Sequence, residues 1–130
     1  MKPVNQTKFG NEEGNCFAAS IASILEVGLR DLPELNSYSN KNWFGDLWNY
    51  LRSHGYTYVG TIHDEERMLV YDKGVKGYYV VCGDSPRGFS NGHAVVYYKG
   101  KLAHDPYPTG NGILKFRYAF MIEPIDSITE

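Results

Sequence analysis

The sequence predicts an α+β domain: an N-terminal helical part followed by a mostly antiparallel β-sheet. Three features lead there. Residues 16–27 are apolar almost all round, and residues 43–53 are apolar along one face. From residue 56 onward the chain breaks into short apolar or alternating runs separated by glycine-bearing turns. Its 130 residues suit one domain spanning 1–130.

The elements follow in order. The first fifteen residues are polar and glycine-punctuated, and read as a loop carrying Gln6. Residues 16–27 bring Phe17, Ala18, Ala19, Ile21, Ala22, Ile24, Leu25 and Val27, relieved only by Ser20, Ser23 and Glu26. A helix that is hydrophobic on all sides is a buried one. Gly14 or Asn15 serves as its N-cap, and Gly28 ends it. In residues 43–53, Phe44, Leu47, Trp48 and Leu51 share one helical face, and His54-Gly55 stops the helix. Strands are expected over 56–62, 77–82, 92–98, 100–105 and 113–122. Lys99-Gly100 makes a tight hairpin turn between the third and fourth. The loop from Gly83 to Gly92 is long for a hairpin connection, and long ordered loops are often functional.

Composition narrows the class. Apolar content of 42% and charged content of 22% are ordinary for a globular chain with a real core. Fourteen glycines and six prolines demand many turns, which argues against a helical bundle. A net charge of -2 with no run of Lys or Arg argues against a dedicated nucleic-acid binder or a membrane-surface protein. Residues 1–8 lack the apolar core of a secretion signal, and no stretch reaches transmembrane length. The expected compartment is therefore the cytoplasm. Two cysteines do not make a disulfide framework there. Cys82, inside the run Tyr78-Tyr79-Val80-Val81-Cys82, reads as a buried strand residue.

Cys16 opens the apolar helix in Gly14-Asn15-Cys16-Phe17-Ala18-Ala19-Ser20. A helix start offers a sulfur the positive end of the macrodipole and free backbone N–H groups. His93, at the start of a strand opened by Gly92, is the candidate base. Asp105 follows on the next strand. Pairing about the Lys99-Gly100 turn, with residue numbers summing to about 199, sets it opposite Ala94. There it can accept a hydrogen bond from one His93 nitrogen and leave the other for sulfur. Gln6 is the candidate oxyanion donor beside the Cys16 N–H. Arg87, in Ser85-Pro86-Arg87-Gly88, has the chemistry to bind a substrate carboxylate or phosphate. His63, His93, His104 and the cysteines show no CxxC or HxxxH spacing, so no metal is assigned. Of Tyr78-Tyr79 and Tyr97-Tyr98, strand alternation turns one residue of each pair inward, favouring core and surface filling over base stacking.

Taken together, Gln6, Gly14-Asn15-Cys16-Phe17-Ala18-Ala19-Ser20, Gly92-His93-Ala94-Val95-Val96 and His104-Asp105-Pro106 resemble the papain-like cysteine peptidase superfamily. The nearest branch is that of the compact bacterial peptidases that cut leader peptides from bacteriocins. The resemblance runs from Gln6 to Pro106. The chain is also similar to small proteins of phage and prophage genomes that carry a Ser-Pro-Arg-Gly element before the His. The resemblance implies a papain-like fold, with the Cys-bearing helix packed on the sheet. It implies Cys16 as nucleophile, His93 as general base and acid, Asp105 as orienter and Gln6 as oxyanion donor. Family members place the Gln closer to the Cys than the ten residues found here. Either Phe9-Gly10-Asn11-Glu12-Glu13 loops out, or Asn11 or Asn15 takes the place of Gln6.

The expected activity is cysteine-dependent hydrolysis of an amide, peptide or isopeptide bond through a thioester, or acyl transfer where an amine rather than water resolves it, without a cofactor. Arg87 and Asn15 are the expected substrate contacts. The expected partner is a peptide, protein or small amide substrate, met by a monomer with no nucleic acid or membrane involved. For a phage-encoded chain the compartment is the host cytoplasm. The alternative is a catalytically silent papain-like module that binds a peptide, a host protein or a small nucleotide-like ligand.

Overall fold

A computed structural model describes residues 1–10, 14–71, 77–87 and 92–125. The element order is α1 (Cys16–Leu25), a 3-10 turn (Leu29–Asp31), α2 (Trp43–Ser53), β1 (Tyr56–Ile62), α3 (Glu65–Tyr71), β2 (Tyr79–Gly83), β3 (His93–Tyr98), β4 (Lys101–His104) and β5 (Phe116–Pro124). All pairings are antiparallel in one five-stranded sheet of order β1-β5-β2-β3-β4. The chain is thus α+β.

Alternation along the strands builds a core on each sheet face. Val80, Val96, Phe120 and Ile122 meet Ile21 and Ile24 of α1 and Leu47 and Leu51 of α2. Tyr79, Val81, Val95, Ala119 and Met121 meet Met68 of α3 on the opposite face. The middle strand, β2, is buried along its whole length.

Three expectations need correction. α1 stops at Leu25, not at Gly28. Glu26 takes the left-handed conformation (φ 60°) and closes the helix on the Ala22 carbonyl. Gly28 instead begins the 3-10 turn, its N–H bonded to Asp31 Oδ2 at 3.2 Å. Helices and strands are also less segregated than expected, because α3 falls between β1 and β2. Asp64 caps it, accepting the Glu66 and Arg67 N–H groups at 2.9 and 3.3 Å. Finally, the last strand runs over 116–124 rather than 113–122, and pairs between β1 and β2.

The two serines that interrupt α1 are satisfied inside it. Ser20 Oγ donates to the Cys16 carbonyl at 2.9 Å and Ser23 Oγ to that of Ala19 at 2.8 Å. Ser23 does more. Its Oγ accepts the Val4 N–H at 2.8 Å, and its carbonyl accepts the Lys2 N–H at 3.0 Å. His104 Nε2 meets the Val4 carbonyl at 3.0 Å, and the Gln6 N–H donates to the Pro106 carbonyl at 2.9 Å. The N-terminal segment is therefore strapped between α1 and the end of β4.

Ser23 is fully buried, so Ser23→Ala strands the Val4 amide. We expect a loss of about 1–3 kcal/mol in urea unfolding. Faster hydrogen exchange at Val4 and Gln6 should accompany it. Unchanged stability and exchange would contradict this account of the strap.

Candidate functional site

Gly92 decides where His93 sits. Its φ is +80°, and a Cβ there would lie 2.6 Å from the Gly83 carbonyl oxygen and 2.8 Å from Arg117 Nη1. Only glycine lets β3 start this close to β2. His93 opens β3 and pairs with Gly83. The Lys99-Gly100 turn carries positive φ at both residues (51° and 79°), as expected of a tight hairpin.

The register beyond that turn differs from the sequence expectation. Tyr98 pairs Lys101 and Tyr97 pairs Leu102, but Val96 pairs His104. Ala103 is therefore a bulge, and Asp105 comes to lie one step past the ladder rather than opposite Ala94. Its carboxylate is held by hydrogen bonds instead. Oδ1 lies 2.6 Å from His93 Nε2 and accepts the Tyr107 N–H at 2.9 Å. Oδ2 accepts the Gly112 N–H at 2.7 Å. Asp105 and His93 are both buried, at 7% and 4% exposure. Burial pushes the Asp105 carboxyl upward, but the ring and the two backbone donors outweigh it and hold the group below its ordinary range.

Cys16, from the far end of the chain, meets this pair. Its Sγ accepts the Ala94 N–H at 3.3 Å. Cys16 and His93 line the same cleft, and the sulfur is near enough to favour the charged ring. With Nε2 given to Asp105, Nδ1 is the nitrogen left for sulfur. Burial opposes the charged imidazolium, yet hydrogen bonds and charge from Asp105 and Cys16 prevail and push His93 up to about 9.

Gln6 and Arg87 border the same cleft, whose volume is about 360 Å³, together with Cys16, His93, Ser85 and Tyr107. Gln6 is buried at 7% exposure. Its Nε2 donates one hydrogen to the Lys8 carbonyl at 3.0 Å, and its Oε1 is buried without a partner. The Arg87 guanidinium lies over the Tyr107 ring, 3.4 Å from its centroid. Asn15 is placed differently. It occupies the N-cap position of α1, but its side chain does not cap. Oδ1 accepts the Thr7 and Lys8 N–H groups at 2.9 and 3.0 Å, and Nδ2 donates to Thr7 Oγ1 at 2.9 Å. It fastens the Gln6 loop to the helix start and borders a separate groove that excludes Cys16 and His93. Asn11 lies outside the described residues, as do residues 88–91 of the Gly83–Gly92 loop.

Cys82 is the strand residue expected. It is 7% exposed and pairs with Ala94 and Tyr118. Burial pushes its thiol up to about 12, against a hydrogen bond from Tyr118. His63 packs its ring near that of Tyr118. Among the described residues, no group of three or more His, Cys, Asp and Glu side chains is arranged to hold a metal, and no helix is long and apolar enough to cross a membrane.

Sequence reasoning missed Tyr107 and Gly112. Tyr107 closes an Asx turn on Asp105, stacks under Arg87 and sets its ring edge-on to His93 at 6.3 Å. The signal was present in Asp105-Pro106-Tyr107, a turn-forming tripeptide. Gly112 had none, since its role rests on a backbone N–H returning from seven residues away.

Comparison with known proteins finds no matching family model, no matching curated protein and no matching solved structure.

The raised His93 has a signed consequence. A group whose charged form gains partners on folding adds stability below its ordinary pKa of 6.5, and that stability is lost as pH rises through about 9. Asp105 acts at the acid end, its contribution lost as pH falls through its lowered pKa. We expect Tm to fall between about pH 6.5 and 9, and this limb to flatten in His93→Gln. A limb of equal slope in both proteins would contradict the assignment.

Proposed function

We propose that this chain is a cysteine-dependent hydrolase of amide or peptide bonds, with a papain-like arrangement of helix and sheet. One observation carries the reading: a buried imidazole bonded to Asp105 through Nε2, with Cys16 beside it at the head of α1 in the same cleft. A ring that only fills core needs no carboxylate saturated by backbone donors at one nitrogen, nor a cysteine beside it in an open cleft. The cleft beside that sulfur supplies room for a substrate carbonyl.

The residues divide the work as follows. His93 Nδ1 takes the Cys16 thiol proton, and Sγ attacks the carbonyl carbon. The oxyanion that forms is met by the Cys16 N–H and by the Gln6 Nε2 hydrogen not given to Lys8. As the C–N bond breaks, His93 hands its proton to the departing amine and a thioester remains. His93 then draws a proton from water, whose oxygen attacks the thioester and frees the acid. Asp105 holds the ring's tautomer and orientation throughout. The resemblance to the bacteriocin-leader peptidases favours a peptide as the substrate.

Iodoacetamide labelling followed by peptide mass spectrometry tests the core of this reading. Cys16 should alkylate at least about 100-fold faster than Cys82 at pH 6.5, and His93→Ala should remove most of that advantage. Slow, equal labelling of both cysteines would favour a silent binding module instead. Cys16→Ala used as bait in lysate then supplies the substrate. Wild type should cleave what the variant captures, and captured material left intact by wild type would overturn hydrolysis.

A further inference from the structure

Among the described residues that line the cleft, Arg87 is the one charged residue that the proposed mechanism leaves unused. Its guanidinium is stacked flat on Tyr107, a placement that fixes the group while giving it no hydrogen-bond acceptor. Nε and Nη1 are buried and meet no partner. Among the described residues its charge has no ion pair. The neighbouring acids are already committed, Asp84 to Arg117 Nε at 2.7 Å and Asp105 to His93. No Asp or Glu stands among the described residues that line the cleft, whereas Arg87 and His93 both do. Leaving a guanidinium partly buried and uncompensated is costly, and a fold retains it where a ligand completes the pairing.

Resting on the proposed hydrolase reading, we infer that Arg87, held on Tyr107, is the anchor for a carboxylate that the substrate carries close to its scissile carbonyl. Two sources share that chemistry: the free C-terminus of a peptide, and an Asp or Glu side chain. Tyr107 joins anchor to reaction centre, since the same residue lies under Arg87, gives its N–H to Asp105 and packs edge-on to His93. The anchor is thus tied to the His93–Asp105 pair and shares a cleft with the sulfur, as discrimination at the reacting bond requires.

Chloroacetyl probes separate these possibilities, because the Cys16 sulfur displaces chloride and the new thioether is located by mass spectrometry. Two matched pairs suffice: chloroacetyl-glycine with its amide for the free C-terminus, and the α-amides of chloroacetyl-glutamate and chloroacetyl-glutamine for the side chain. Within at least one pair, the acid should alkylate Cys16 about tenfold faster than the neutral partner. The pair that shows the preference names the source. The acid-to-neutral ratio should fall to about one in Arg87→Gln and return in part in Arg87→Lys. Each ratio is read within one protein, so a general change in Cys16 reactivity cancels. Ratios near one in wild type, or a preference that survives Arg87→Gln, overturn the anchor while leaving the hydrolase reading intact. Failure of every probe to alkylate Cys16 ahead of Cys82 overturns the hydrolase reading and the anchor with it.

Discussion

The hydrogen bond between His93 and Asp105 is the constraint on which the rest of the site depends. Both partners are nearly excluded from solvent, where an isolated carboxylate or an isolated imidazolium is heavily penalised. The pair is tolerable because both carboxylate oxygens are satisfied and one of them holds the ring. Asp105 collects three donors, the His93 ring among them, and Cys16 lies beside that ring in the cleft. Removing either partner leaves the other buried and uncompensated, so the elements that bring them together act as one unit. These are the glycine before β3, the bulge in β4 and the chain returning at Gly112.

A second layer of polar contacts places the cleft wall. Ser23, His104 and Pro106 pin the N-terminal segment, and Asn15 clasps its Thr7–Lys8 end. That strap buries Gln6 beside Cys16 although ten residues separate them in the chain. Cys16 and Cys82 illustrate the effect of placement on chemically identical side chains. One stands at a helix start facing an imidazole, and the other is sealed between strands with its thiol pushed up to about 12.

Much of this was legible in the sequence because the signals were local and strong. Periodicity marked α2 and β1 at their observed bounds, and the apolar run of α1 marked a buried helix carrying Cys16. The distance of Cys16, His93 and Asp105 from one another in sequence did not hide them, since each sits at the start or end of an element where side chains reach a cleft. Non-local features were harder to read. A seven-residue α3 is too short to separate its period from a strand's. The place of β5 between β1 and β2 depends on pairing energies that no single segment displays. The bulge at Ala103 has no composition signature, so the register slipped by one. Asn15 carried a cap signature but is used for loop closure, because Thr7 and Lys8 present unpaired N–H groups within its reach. Arg87 was visible as a charge before the His, whereas its aromatic platform, twenty residues further along the chain, was not.

The central claim is that Cys16 and Asp105 converge on one imidazole, and NMR titration of the His93 ring measures it most directly. The account predicts a ring still protonated at pH 8, with an apparent midpoint of about 9 in wild type. It predicts a clear fall in that midpoint in Asp105→Asn and in Cys16→Ala, each of which removes one favourable partner of the charged ring. A wild-type ring that titrates near 6.5, or one indifferent to both substitutions, would contradict it.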